Sequence, residues 1–289
     1  MFNRDNRQRN DESRYSSSND NPRYDQASYA SGYDYRSAGK NFEFGNAVGV
    51  ELATESQAIF GATMRKVFLW MFLGLAITAV TSWFVATNPA LQSLVFSGPG
   101  MIFLVIAQLG LAIAFGIMMY RVRPTVLKAM FAGYAFVLGL TLSSIFFVYE
   151  LGTIFLAFGV SAAVFGVMGA VGYFIKKDLS PIGYVGYMLL FGAIIVTLIN
   201  MVISFFAPAL ASTVSFFMNY VILAIFVGLT AFDMQRIKMM AIAAAESGVG
   251  TSEMADTTDR IAIYGAMQLY LDFINIFLRI LAIMGRRKN

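Results

Sequence analysis

Asp233 lies near the end of one long apolar stretch, and Asp272 lies twelve residues into the next. A carboxylate at the centre of a helix inserted in a bilayer costs about 2.5 to 3.5 kcal/mol, so each needs water, a proton or a polar partner. The rest of the chemical inventory is short. With no Cys and no His in the chain, thiolate and Ser-His nucleophiles, zinc-thiolate sites and the usual near-neutral proton sensor are all excluded. Proton chemistry must fall to carboxylates, Tyr or Lys, and an activity as an enzyme is not expected.

Spacing groups these residues further. Gln268, Asp272, Asn275 and Arg279 fall at i, i+4, i+7 and i+11, one face of a helix, and a weaker stripe of Thr197, Asn200 and Ser204 lies in an earlier apolar segment. An intramembrane polar stripe faces protein or water. It lines a polar interior or serves as interhelical glue, and Asn200 and Gln268 suit the second role as well as the first. Arg279 either pairs with Asp272 two turns away or snorkels to the outer surface. Gly159, Ala163, Gly166 and Ala170 form a small-residue ridge suited to close helix approach. Two intramembrane aspartates also suggest an aspartyl intramembrane protease, but Asp272 follows Tyr270-Leu271 in place of a Gly-x-Gly-Asp motif, and Pro208-Ala209-Leu210 precedes both aspartates. No glycine pattern supports nucleotide binding.

The elements that hold these side chains are transmembrane helices. The 289 residues are 58% hydrophobic and only 13% charged, against roughly a quarter charged in soluble domains. Seven segments reach the ~20 residues that a bilayer core requires: about 67–86, 101–120, 125–148, 152–175, 181–206, 214–234 and 261–284. The breaks between them fall at Pro, Gly and charged residues, including the polar stretch from Glu246 to Arg260. Lys and Arg collect in alternate connections, which places the N-terminus in the cytoplasm; Arg286, Arg287 and Lys288 at the C-terminus run against this pattern. Such basic residues beside apolar segments are an orientation signal, and nucleic acid is not an expected partner.

Residues 1–56 differ in kind. They carry 7 Lys/Arg and 9 Asp/Glu, with Tyr15, Tyr24, Tyr29, Tyr33 and Tyr35 set among Ser, Asn and Asp and few aliphatic side chains. Such a segment cannot offset its ordering entropy and is expected to be a disordered cytoplasmic tail ahead of a membrane domain over 57–289.

Four segments resemble the Bax inhibitor family, the transmembrane Bax inhibitor motif proteins: GLTLSSIF from Gly139 to Phe146, GYFIKKDLS from Gly172 to Ser180, VGLTAFDMQ from Val227 to Gln235 and LYLDFINIF from Leu269 to Phe277. The likeness extends from about Thr63 to Gly285 and has a bacterial character, which implies a bacterial plasma membrane. It implies an all-α fold in which six helices surround a central seventh. It also implies that Asp233 and Asp272 form a carboxyl pair gating a cation leak, notably for calcium, with Arg121 or Arg123 as a possible counter-ion. Such a pair holds one proton between its members and titrates as a coupled unit. On deprotonation it repels itself apart and admits calcium as a transient guest. Calcium wants about six to eight oxygens, so Asn275, Gln268 or water must complete the shell. No resident cofactor is implied. The alternative function is a non-transporting regulator that binds membrane partners such as a protease complex.

Two features qualify the resemblance. Phe232 and Met234 replace the more frequent Tyr and Thr beside Asp233. At 1.5 Å per residue, Asp272 lies roughly 18 Å beyond Arg260 and Asp233 about 5 Å before Arg236. The aspartates therefore meet only if the sixth helix runs on through the Ala-rich stretch to Ala245 or the seventh begins deeper.

Overall fold

The computed structural model describes residues 47–247 and 251–285, with side chains over 57–247 and 254–285. The expectations for residues 1–46 and for Arg286, Arg287 and Lys288 lie outside the described residues. The described chain is helical and spans a membrane with seven apolar helices. In order, the helices are α1 (Ala47–Thr87), α2 (Pro89–Val95), α3 (Gly98–Met118), α4 (Pro124–Leu142), α5 (Ile145–Val148), α6 (Leu151–Phe174), α7 (Ser180–Phe206), α8 (Pro208–Glu246) and α9 (Thr251–Met284). α1 thus starts inside what composition reads as the tail.

Proline and short polar side chains set most boundaries. Pro89, Pro124, Pro181 and Pro208 each stand in the first turn of a helix, where a missing N–H costs nothing. Asn88 caps α2 by accepting from the Ala90 and Leu91 amides at 3.1 and 3.4 Å, so the first connection contains about two turns of helix. The third span breaks between α4 and α5. There Ser143 and Ser144 donate back to the Leu140 and Thr141 carbonyls at 2.6 and 2.9 Å, a competition that bends helices.

The last two helices depart most from the hydropathy reading. Hydropathy ends the sixth span at Met234, yet α8 continues to Glu246, and most of the polar Glu246–Arg260 stretch is the start of α9. The physical reason is a second buried stripe: Ile237, Met240, Ala241, Ala244 and Ala245 are all buried, at helical spacing and in a run of the best helix former. Met240 and Ala244 pack there against Met119 and Ile261.

α9 is the core of the bundle. Over half of its most apolar stretch is buried, against 39% or less for every other span. It packs directly on α1, α4, α6 and α8, while α3 attaches outside on α4 and α7 outside on α8. Tyr270, wholly buried, shares a 2.6 Å hydrogen bond with Thr78 of α1 and meets Phe131 and Tyr134 of α4 edge-on.

The small-residue ridge on α6 requires a correction. Gly159 and Gly166 have nothing within 4 Å of where a side chain would start, and the ridge faces outward. Close approach uses a neighbouring face, where a Cβ on Gly172 would stand 2.1 Å from the Ala231 carbonyl oxygen and one on Gly169 would stand 3.3 Å from the Met234 methyl. Spacing identifies a ridge of small residues but not the side of the helix that meets its neighbour. This contact seats α6 against the turn of α8 that carries Asp233.

Candidate functional site

Asp233 and Asp272 are 3% and 4% exposed, and their carboxyl groups face each other from adjoining helices. The lengthening of α8 to Glu246 and the early start of α9 resolve the depth mismatch: both aspartates lie well inside an antiparallel helix pair. Gly265 faces Ile237 across the same seam at 3.0 Å from its would-be Cβ, one turn from Asp233 along α8 and about two turns from Asp272 along α9. Two carboxylates cannot donate to each other, so a hydrogen bond between them would require a proton on one.

The surroundings of the two carboxyls are unequal. Tyr187 of α7 donates its hydroxyl to Asp233 Oδ1 at 3.1 Å, and Arg236, one turn further along α8, is in electrostatic reach of Asp233. The Arg236 guanidinium sits 5.6 Å from the centre of the Tyr264 ring. Asp272 Oδ2, in contrast, is buried with no hydrogen-bond partner. An acceptor left bare in the interior costs about 1 to 3 kcal/mol, more if charged, which favours the neutral acid at that position.

The polar stripe of α9 is half-buried beside this site. Gln268 donates to the Tyr264 hydroxyl at a long 3.5 Å, and Asn275 turns back to its own helix, donating to the Leu271 carbonyl at 2.8 Å. Arg279 neither pairs with Asp272 nor snorkels free. It donates to Asn219 Oδ1 of α8 at 3.0 Å, with its Nε buried and unpartnered. Asn200 of α7 donates to Ser215 Oγ at 2.8 Å and to the Ala211 carbonyl at 3.2 Å, so it is interhelical glue. Thr197 and Ser204, its companions in the stripe, bond within their own helix.

Arg121 and Arg123 are exposed at the turn joining α3 to α4, and the cation near the pair is Arg236. A one-turn spacing from Asp233 was the available signal for Arg236. Tyr187 carries no such signal, because it lies on an outer helix 46 residues away in sequence. Among the described residues no cluster of three or more acidic, Cys or His side chains converges. A cation at the pair would therefore meet at most two carboxyl groups and would need neutral oxygens to complete its shell.

A second acidic site lies on the same helix. Asp259 receives Lys66 of α1 on Oδ1 and Lys128 of α4 on Oδ2, both at 2.6 Å. Beside it Arg260 donates to the Met119 carbonyl at 2.8 Å. Gln235 holds the connection after α6 by accepting from the Leu179 amide and donating to the Lys177 carbonyl, each at 2.8 Å. Lys238 donates to the Tyr173 carbonyl at 2.7 Å. These contacts gather the basic clusters at one end of the bundle.

Fold and site together define an integral membrane protein of seven spanning helices with two buried aspartates on its last two helices. Residues 61–289 match the family described as Inhibitor of apoptosis-promoting Bax1, and the chain belongs to this Bax inhibitor family. It is 38% identical over 231 residues to the inner membrane protein YbhL of Escherichia coli K12, covering 78% of this chain and 92% of that one. An uncharacterized protein of Deinococcus radiodurans is 35% identical over 224 residues, with 78% and 90% covered. Another from Borreliella burgdorferi is 33% identical over 246 residues, with 83% and 99% covered.

Proposed function

We propose that the protein is a pH-sensitive cation leak, with calcium as its cargo, gated by the Asp233–Asp272 pair in a bacterial inner membrane, with the N-terminus in the cytoplasm. The observation that supports this reading most directly is the burial of two carboxyl groups facing each other on adjoining helices. With one proton shared, the pair closes the seam between α8 and α9. Without it, two like charges in a poorly hydrated site repel, and a divalent ion is the natural guest between them. Gln268 and Asn275 are the neutral oxygens within reach along the stripe. The inner-membrane assignment follows from the likeness to the inner membrane protein YbhL, and the orientation follows the basic residues gathered at one end.

The direct test is calcium flux into liposomes holding the purified protein between about pH 5 and pH 8. The expected result is flux that rises as the pair deprotonates. No flux above empty liposomes at any pH in that window overturns the leak and favours a non-transporting regulator that binds membrane partners such as a protease complex. For orientation, single Cys substitutions at Ser97 and Lys177 should label from opposite sides of intact cells, with Lys177 inside.

A further inference from the structure

Tyr187 belongs to α7, the least buried span, and is 38% exposed, yet its hydroxyl reaches an aspartate that is almost wholly enclosed. Its ring is held in place. Phe232, immediately before Asp233, meets it edge-on with centroids 6.1 Å apart. Phe232 in turn occupies space that Gly183, one turn before Tyr187, leaves open: a Cβ there would stand 2.6 Å from the ring carbons. Gly186 does the same for Leu229 at 2.7 Å. Two glycines thus let α7 lie against the turn of α8 that ends in Asp233. Phe232 and Met234 bring no hydroxyl of their own, so the donor comes from the neighbouring helix.

Several ionisable groups surround Asp233. α9 contributes Asp272 and Tyr264, α7 contributes Tyr187, and α8 itself contributes Arg236. The α6 face that meets α8 here is Gly169 and Gly172, with Tyr173 engaged further along by Lys238. None of the buried residues of α1, among them Thr63, Met64, Val67, Met71 and Thr78, ionises near neutral pH. Asp233 therefore accepts a hydrogen bond from the Tyr187 hydroxyl, while Asp272 keeps a bare buried oxygen. A carboxyl group with a hydroxyl donor is suited to be the anion, and one with a bare buried oxygen is suited to be the acid.

We propose that Tyr187 is a positioning residue of the carboxyl pair: its hydroxyl holds Asp233 as the acceptor and so directs the shared proton to Asp272. This rests on reading the pair as a proton switch, and its test measures the proton itself. The infrared carboxyl stretch of the full-length protein in lipid nanodiscs is followed against pH for wild type, Tyr187→Phe, and Tyr187→Phe combined with Asp233→Asn or Asp272→Asn, with helix content and melting checked in each. Losing the donor to the anion should move the midpoint at which Asp233 ionises, the lower step of the pair, to higher pH by about one unit, a tenfold change in proton affinity. The same shift should persist in the Asp272→Asn background and vanish in the Asp233→Asn background. An unmoved midpoint in Tyr187→Phe, or an equal shift with Asp233 absent, overturns the assignment. If the midpoint follows Tyr187 but no variant carries ions, the leak fails and this role stands. If flux responds to pH but the midpoint ignores Tyr187, the reverse holds.

Discussion

Asp259 and Asp272 lie on the same helix, and their surroundings give the same side chain opposite uses. Asp259 meets two lysines at 2.6 Å on its two oxygens and keeps 23% of its side chain exposed. Its charge is matched, so it clasps α1, α4 and α9 together and gains nothing from a proton. Asp272 is buried, has a bare oxygen, and faces another carboxyl group. Its charge is unmatched, so a proton is the cheapest partner available. A carboxylate with local cations is a fastener, and a carboxyl group facing its own kind is suited to hold a proton, which is what the proposed switch requires.

The largest expected effect breaks the switch. Asp233→Asn or Asp272→Asn keeps shape and hydrogen bonding while removing the proton equilibrium, so the pH dependence of calcium flux should disappear with helix content unchanged. A mutant that keeps the wild-type pH profile would place the sensor elsewhere, with Glu150 or Asp178 next to examine.

Asp259→Asn sharpens the contrast from the other side. It leaves Lys66 and Lys128 facing each other without an anion. The cost should be about 1.5 to 3 kcal/mol, the range for hydrogen bonds to charged groups, read as a lower midpoint of thermal unfolding in detergent. The pH profile of flux should keep its midpoint. A shift of that midpoint as large as the one from an aspartate of the pair would merge the two sites into one device.

Smaller still are Lys66→Gln and Lys128→Gln taken singly. Each leaves Asp259 one lysine, so each should cost less than about 1 kcal/mol, as partly exposed ion pairs do. The double substitution should cost more than the sum of the two, because only then does Asp259 lose both cations. Strict additivity would mean that the lysines act independently and that the clasp is two unrelated contacts.

Much of this was legible in the residues. Composition and apolar segment length specify a membrane bundle because a bilayer offers no water to unpaired backbone, so every long apolar run must become a helix. The absence of His and Cys confines proton chemistry to a few side chains, and the cost of a buried charge singles out Asp233 and Asp272. The stripe of Gln268, Asp272, Asn275 and Arg279 marks α9 as the enclosed helix by period alone.

Tertiary structure decided what hydropathy cannot measure. α8 runs past its charged turn to Glu246 because Ile237, Met240, Ala241 and Ala244 find partners on other helices, and only that extension brings Asp233 level with Asp272. Which small residues of α6 touch α8, whether Arg279 turns to Asp272 or Asn219, and which hydroxyl reaches Asp233 depend on helix rotation and depth. Those are set by the packing of the whole bundle, since a helix repeats every 3.6 residues and its sequence leaves open which neighbour each face will meet.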